Sequence, residues 1–201
     1  VYRAGRCVGI VFEKSAKTDK NRQQNNSELD NDLSGSFYLY IFAFEKSATM
    51  PQITIYTDGS SLGNPGAGGY GVVLLAPPNH RKELSAGYRL TTNNRMELLA
   101  VIVALEALRF EGSDVVIYSD SRYVVDAVSK GWVFGWERKG FTGKKNPDLW
   151  RRFLAIYRRH HVRFVWVKGH AETVENNRCD QLAVAAANGA RLLEDVGYQP
   201  E

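Results

Sequence analysis

A chain of 201 residues, 44% hydrophobic and 24% charged, has the composition of a globular protein and length for one domain plus an appendage. Its two cysteines, Cys7 and Cys179, exclude a disulfide framework or a cysteine-based zinc site and fit a reducing cytoplasm; no apolar run reaches transmembrane length. The net charge of +4 hides a local imbalance: between Lys130 and His170 eleven Lys and Arg face two acids, +9 for that stretch, which points to an anionic partner, nucleic acid first.

Residues 1–49 differ in character from the rest. Asn, Gln, Ser and Asp dominate Thr18–Ser36, as in a disordered linker, and FEKSA occurs twice, at Phe12–Ala16 and Phe44–Ala48. Met50 stands just before the first strand-like run, so residues 1–49 are expected to be a non-essential polar extension, disordered or an over-extended translation start. A small nucleic-acid-binding appendage built on Tyr2, Arg3, Arg6 and Phe12 is the alternative. The eight apolar residues Phe37–Phe44 follow acids rather than basic residues, against an export signal.

From Met50 the elements become regular. Gln52–Thr57 alternates Ile53 and Ile55 with polar residues, predicting a strand with one buried face and Asp58 at its exit. Asn64-Pro65-Gly66 demands a reversal, since Pro fixes φ and Gly tolerates positive values. Gly66, Gly68 and Gly71 match the spacing of a dinucleotide fingerprint, but no helix follows them, so that reading fails. Gly69–Ala76 and Arg81–Leu90 are the next strands, joined by short turns and therefore antiparallel. Asn94 to Phe110 is apolar enough to predict a central buried helix. Asp114–Tyr118 is a strand and Asp120-Ser121 caps a helix to about Lys130; a crossover helix between strands makes the sheet mixed. Asp148 opens a helix with Trp150, Phe153, Leu154 and Tyr157 on one face and Arg151, Arg152, Arg158 and Arg159 around the rest. Val162–Lys168 is the last strand, Glu175–Ala190 an Ala-rich closing helix, and the tail from Arg191 is expected to be loosely held.

Four acids fall at or near element ends: Asp58, Glu97, Asp120 and Asp180. Each has a plain structural explanation. Glu97 completes a capping box with Asn94, Asp120 is a helix cap, Asp180 complements a helix dipole and Asp58 is a turn residue. Together they imply something else. If the first and fourth strands are neighbours, Asp58 and Asp120 leave adjacent strand ends and the central helix offers Glu97 to the same lip. Carboxylates gathered there would raise one another's pKa values unless a cation joined them. Oxygen donors favour Mg²⁺, or Mn²⁺, and one or two such ions suit phosphodiester hydrolysis.

The strings TDGSSLGNPGAGGYG, TTNNRMELLAVIVALEAL, YSDSRYVVDAV and VWVKGHAETVENNRCDQLA make the chain resemble bacterial type 1 ribonuclease H, in order, from about Met50 to Tyr198. The resemblance implies an α/β ribonuclease H-like fold, a five-stranded mixed sheet of order 3-2-1-4-5 flanked by helices, as a catalytic domain over residues 50–201. It implies a cytoplasmic endonuclease, monomeric and free of membrane, that uses Mg²⁺ to cut the RNA of an RNA–DNA hybrid. Carried over by position, it makes Asp58, Glu97, Asp120 and Asp180 the metal-binding acids and gives His170 proton transfer and product departure. Asn64, Thr92, Asn94 and Ser121 match positions that touch nucleic acid. Trp132, Trp136, Lys139 and Lys144 lie in a segment similar to the family's basic handle, several residues shorter than its fullest form; Trp132 and Trp136 are also expected to pack in part against the helices. Two rivals are a catalytically idle hybrid-binding module, for which the four acids and His170 have no use, and a resolvase- or transposase-like nuclease, against which TTNNRMEL and GHAETVEN discriminate.

Overall fold

The computed structural model describes residues 51–169 and 174–200. Residues 1–50, to which the extension and appendage readings belong, and His170 lie outside them. Three strands come first, β1 (Ile53–Ser61), β2 (Gly66–Ala76) and β3 (His80–Thr91). They are followed by α1 (Asn93–Glu106), β4 (Asp114–Ser119), α2 (Arg122–Ser129), α3 (Trp132–Arg138), α4 (Pro147–Tyr157), β5 (His161–Trp166) and α5 (Val174–Ala187). The strands form one sheet in the order β3-β2-β1-β4-β5. β1, β2 and β3 are an antiparallel meander, while β4 runs parallel to both β1 and β5, giving the expected mixed sheet.

The first four strands outrun their sequence signals, whereas β5 ends at Trp166, two residues before the predicted Lys168. β1 does not stop at Thr57: its parallel pairing with β4 ends at Thr57↔Ser119, but antiparallel pairing with β2 continues through Asp58↔Gly71 to Ser61↔Gly68. Asp58 therefore stands inside a strand, at the point where one neighbour has ended and the other has not. Alternation marks only where side chains are buried, whereas β2 supplies hydrogen-bond partners well into the polar stretch.

One face of the sheet carries Ile55, Val72, Leu74, Val115 and Ile117 into a core shared with α1 and α4. Met96, Leu98, Leu99, Ala100, Val101, Ile102, Ala104 and Leu105 of α1 are all buried, so this helix is enclosed on most of its circumference. α4 brings Trp150 and Phe153, both fully buried and edge-on to each other at 5.6 Å. The other face of β1, β2 and β3 is covered by α5. A β-carbon at Gly71 would lie 2.1 Å from the carbonyl oxygen of Cys179, and one at Gly87 2.0 Å from that of Ala186. Of the three glycines that mimic a dinucleotide fingerprint, Gly71 thus serves close helix-on-sheet approach, while Gly66 and Gly68 lie against Gly63 and Thr91. No described helix is long and apolar enough to cross a membrane.

The C-terminal segment is firmly tied rather than loose. Leu193 pairs with the edge of β3, its amide donating to the Gly87 carbonyl and its carbonyl accepting from Arg89, at 2.8 and 2.9 Å. Two residues on, Asp195 accepts from the Thr91 hydroxyl at 2.7 Å and from Arg95 Nε and Nη2, both at 2.7 Å. Arg95, only 2% exposed, also makes a bidentate contact with Asp148 at the start of α4. One buried guanidinium so joins α1, α4 and the tail. Paired in this way its charge is tolerated; stripped of either carboxylate it would be costly.

Candidate active site

Each of the four acids is delivered by a different element. Asp58 projects from β1 on the face that α5 covers, the face it shares with its cross-strand partner Gly71. Glu97 is in the second turn of α1, Asp120 directly follows β4, and Asp180 is in the second turn of α5. The approach of α1 depends on Gly59, where a β-carbon would meet the Glu97 amide nitrogen at 2.2 Å. Any side chain at position 59 would push the start of α1, and Glu97 with it, off the sheet. At Gly169 an added β-carbon would lie 2.6 Å from Oδ2 at the end of the Asp120 side chain. The chain beyond β5, which leads to His170, therefore begins against an acidic residue.

Electrostatics tie the acids together. Burial pushes the Asp58 carboxyl up to about 8, and the charges of Asp120, Asp180 and Glu97 push in the same direction against a 2.7 Å hydrogen bond from the Gly59 amide to Oδ1. Glu97 is raised to about 7, first by burial and then by Asp120, while bonds from the Ser121 hydroxyl and the Asn93 side-chain amide, 2.8 Å, pull the other way. Among the described residues no three His, Cys, Asp or Glu side chains form a ready metal-ligand cluster. A shared field, rather than a closed shell, is what the four have in common. Purely oxygen donors with a surplus of negative charge nevertheless match a hard divalent cation, which would relieve the repulsion that raises Asp58 and Glu97.

Two capping expectations are corrected. α1 begins after Thr92 with no side-chain cap, and Glu97 turns to Asn93 and Ser121 instead of closing a box with Asn94. Helix α2 is capped by Ser121, whose hydroxyl accepts from the Val124 amide at 3.3 Å, and not by Asp120. Both acids escape the structural duties that their sequence positions suggested. Ser121 is buried and is committed to Glu97 and to its helix.

Asn64, Thr92 and Asn94 do come together, along the rim of a cavity of about 520 Å³ that also includes Lys145, Asn146 and Arg151. The Asn64 side-chain oxygen accepts from the Asn93 amide at 3.2 Å, linking the β1–β2 turn to the start of α1. Asn146, which the sequence reading passed over, takes a left-handed backbone conformation (φ 58°) ahead of Pro147, and its side chain reaches the Tyr123 hydroxyl at 3.1 Å. An Asn directly before Pro and Asp was the available signal. Arg95, Asp148 and Asp195 were also missed, because an Arg in an apolar helix is visible in sequence but its distant partners are not.

In the basic, aromatic segment 132–145, Trp132 and Trp136 behave differently. Trp132 is 48% exposed with the Lys130 ammonium 4.8 Å above its ring. Trp136 packs edge-on to buried Trp150 at 5.6 Å, and the Lys144 ammonium lies over its ring at 5.1 Å. Lys139 follows α3 and is exposed, as is Lys144.

Comparison with known proteins agrees with this geometry. The RNase H family description matches residues 50–188. A ribonuclease H of Syntrophus aciditrophicus is 57% identical over 152 residues, covering 73% of this chain and 87% of that protein. One from Desulforamulus reducens is 56% identical over 156 residues, covering 75% and 97%. Among solved structures, LC9-RNase H1, a type 1 RNase H with the type 2 active-site motif, superposes with a TM-score of 0.65 at 32% identity over 75% of this chain and 81% of its own. LC11-RNase H1, solved in complex with an RNA/DNA hybrid, gives a TM-score of 0.52 at 29% identity, covering 67% and 96%. With a five-stranded sheet of order 3-2-1-4-5, four electrostatically linked acids and a family match over most of its length, this chain belongs to the RNase H family.

Proposed function

We propose that residues 50–201 are a ribonuclease H catalytic domain that hydrolyses the RNA strand of RNA–DNA hybrids. The observation that carries this reading is the raised carboxyl of Asp58, on which the other three acids all act from separate elements. Asp58, Glu97, Asp120 and Asp180 are the residues that would hold one or two Mg²⁺ or Mn²⁺ ions. When bound, such ions supply positive charge at the scissile phosphodiester and acidify water.

The chain's own groups do the rest. The Gly59 amide fixes Asp58, and Ser121 with Asn93 fixes both oxygens of Glu97, so two carboxylates are oriented before substrate arrives. Asn64, Thr92 and Asn94 meet the backbone of the hybrid, whose RNA is distinguished through its 2′-hydroxyls, and Trp132, Trp136, Lys139 and Lys144 grip the phosphates. Water adds to the phosphorus as the bond to the ribose 3′-oxygen breaks, leaving a 5′-phosphate and a 3′-hydroxyl. His170 is assigned the proton traffic around that departure.

The test is direct. Purified protein with Mg²⁺ should cut labelled hybrid and spare single-stranded RNA, duplex RNA and duplex DNA, and EDTA should stop it. Asp58→Asn should lower turnover by more than about 100-fold, beyond the loss usual for a group that only orients a ligand, while hybrid binding stays within a few fold. Equal cutting of all four substrates, or activity surviving EDTA, would sink the proposal.

A further inference from the structure

We propose that the C-terminal segment Gly197–Pro200 is a wall of the hybrid-binding cavity and helps to seat a backbone phosphate there. The inference rests on the hybrid-cleaving reading and adds to it a group of residues remote from the catalytic acids. Four consecutive residues, Gly197, Tyr198, Gln199 and Pro200, line the same cavity of about 520 Å³ as Asn64, Thr92, Asn94 and Asn146. The lining also includes the cations Lys145 and Arg151 together with the Arg95–Asp148 ion pair, so the cavity combines amides, a hydroxyl and a surplus of positive charge, the set that recognises a phosphate diester.

The tail is placed there by fixed contacts. Its base is held at Leu193 by β3 and at Asp195 by buried Arg95. Beyond that anchor the Tyr198 amide donates to the Asp195 carbonyl at 2.9 Å, turning the chain back, and the Arg95 guanidinium lies 5.9 Å from the centre of the Tyr198 ring. Gly197 passes so close to Asp148 that a β-carbon would lie 2.0 Å from its Oδ2. The residue types fit the duty: Gly allows the approach, Tyr and Gln bring donors, and Pro limits the freedom of the last turn.

Residues 197–200 carry no side-chain charge, which gives the wall a signature distinct from that of a cation. Hybrid cleavage should be measured as a function of substrate and salt for the full chain, a form lacking residues 197–201, and Tyr198→Ala/Gln199→Ala. Losing one or two neutral hydrogen bonds should raise KM roughly fivefold, about 1 kcal/mol, with kcat within about twofold. The slope of log KM against log salt should stay as in the full chain for Tyr198→Ala/Gln199→Ala, which removes no charge. Melting temperature should stay within a few degrees, since the Arg95–Asp195 pair is retained. An unchanged KM, or a joint fall of kcat and melting temperature, overturns the proposal and leaves the tail as packing alone. Failure of the full chain to cut hybrid at all would instead count against the functional reading, so the two failures are separable.

Discussion

Asp58 is destabilising by design. Its folded carboxyl is pushed up to about 8 against 3.8 for an ordinary aspartate, so between those values the folded protein keeps a proton that the unfolded chain releases. Stability must then fall as pH rises through that window, the reverse of the trend for an ion-paired carboxylate such as Asp148, which the Arg95 guanidinium holds below its ordinary value. In EDTA, Asp58→Asn should therefore melt above the parent protein at pH 8 and close to it at pH 4. If about 2 kcal/mol of repulsion is relieved, the gain is roughly 4–8 °C. A variant that melts lower at pH 8 would mean that the Gly59 hydrogen bond outweighs burial and repulsion. The four acids themselves were legible in the chain, because each sits beside a strong strand or helix signal. Their partners were not: the Ser121 and Asn93 bonds to Glu97 depend on how α1 meets the end of β4, which no local pattern encodes.

Among the elements, the contact of α5 with the sheet sets the tightest tolerance. Gly71 lies under the Cys179 carbonyl, and Cys179 is next to Asp180, so the closeness of this packing determines how near the fourth acid comes to Asp58. Gly71→Ala should cost about 3 kcal/mol, since backbone rather than a flexible side chain must yield, and should lower the melting temperature by roughly 6–12 °C. A circular-dichroism melt shifted by less than a degree would show that α5 can slide without penalty. Strand order and four of the five helices were readable from alternation and capping residues, and the antiparallel and parallel pairings followed from the connections, whereas α3 lies in a stretch read only as basic and aromatic. Misjudged features share one cause. The extension of β1 past Thr57, the turn of Glu97 away from Asn94 and the anchored tail all depend on partners distant in sequence: Gly71 for Asp58, Ser121 for Glu97, Arg95 for Asp195.

At the scale of the whole molecule, charge of one sign at the site and of the other around it divides labour. The stretch from Lys130 to His170 holds eleven of the 26 Lys and Arg, and its exposed members surround α3 and α4. Binding of a polyanion to such a surface should weaken steeply with salt as counterions are released. Lys139→Ala and Lys144→Ala should each reduce the log–log salt slope of hybrid binding by about 1, leaving the rate of saturated enzyme nearly unchanged. A slope indifferent to both would remove the handle from the binding surface. The handle was recognisable as basic and aromatic from sequence, but only packing separates Trp136, lodged against Trp150, from Trp132, which faces outward.

The acids on β1, α1, the end of β4 and α5 span positions 58 to 180, and the last of them arrives only after every strand has been made. Under the proposed function, a chain emerging from the ribosome has no complete set of metal-holding acids until α5 docks over the sheet. On that reading, competence to cleave appears together with the completed architecture and not before it.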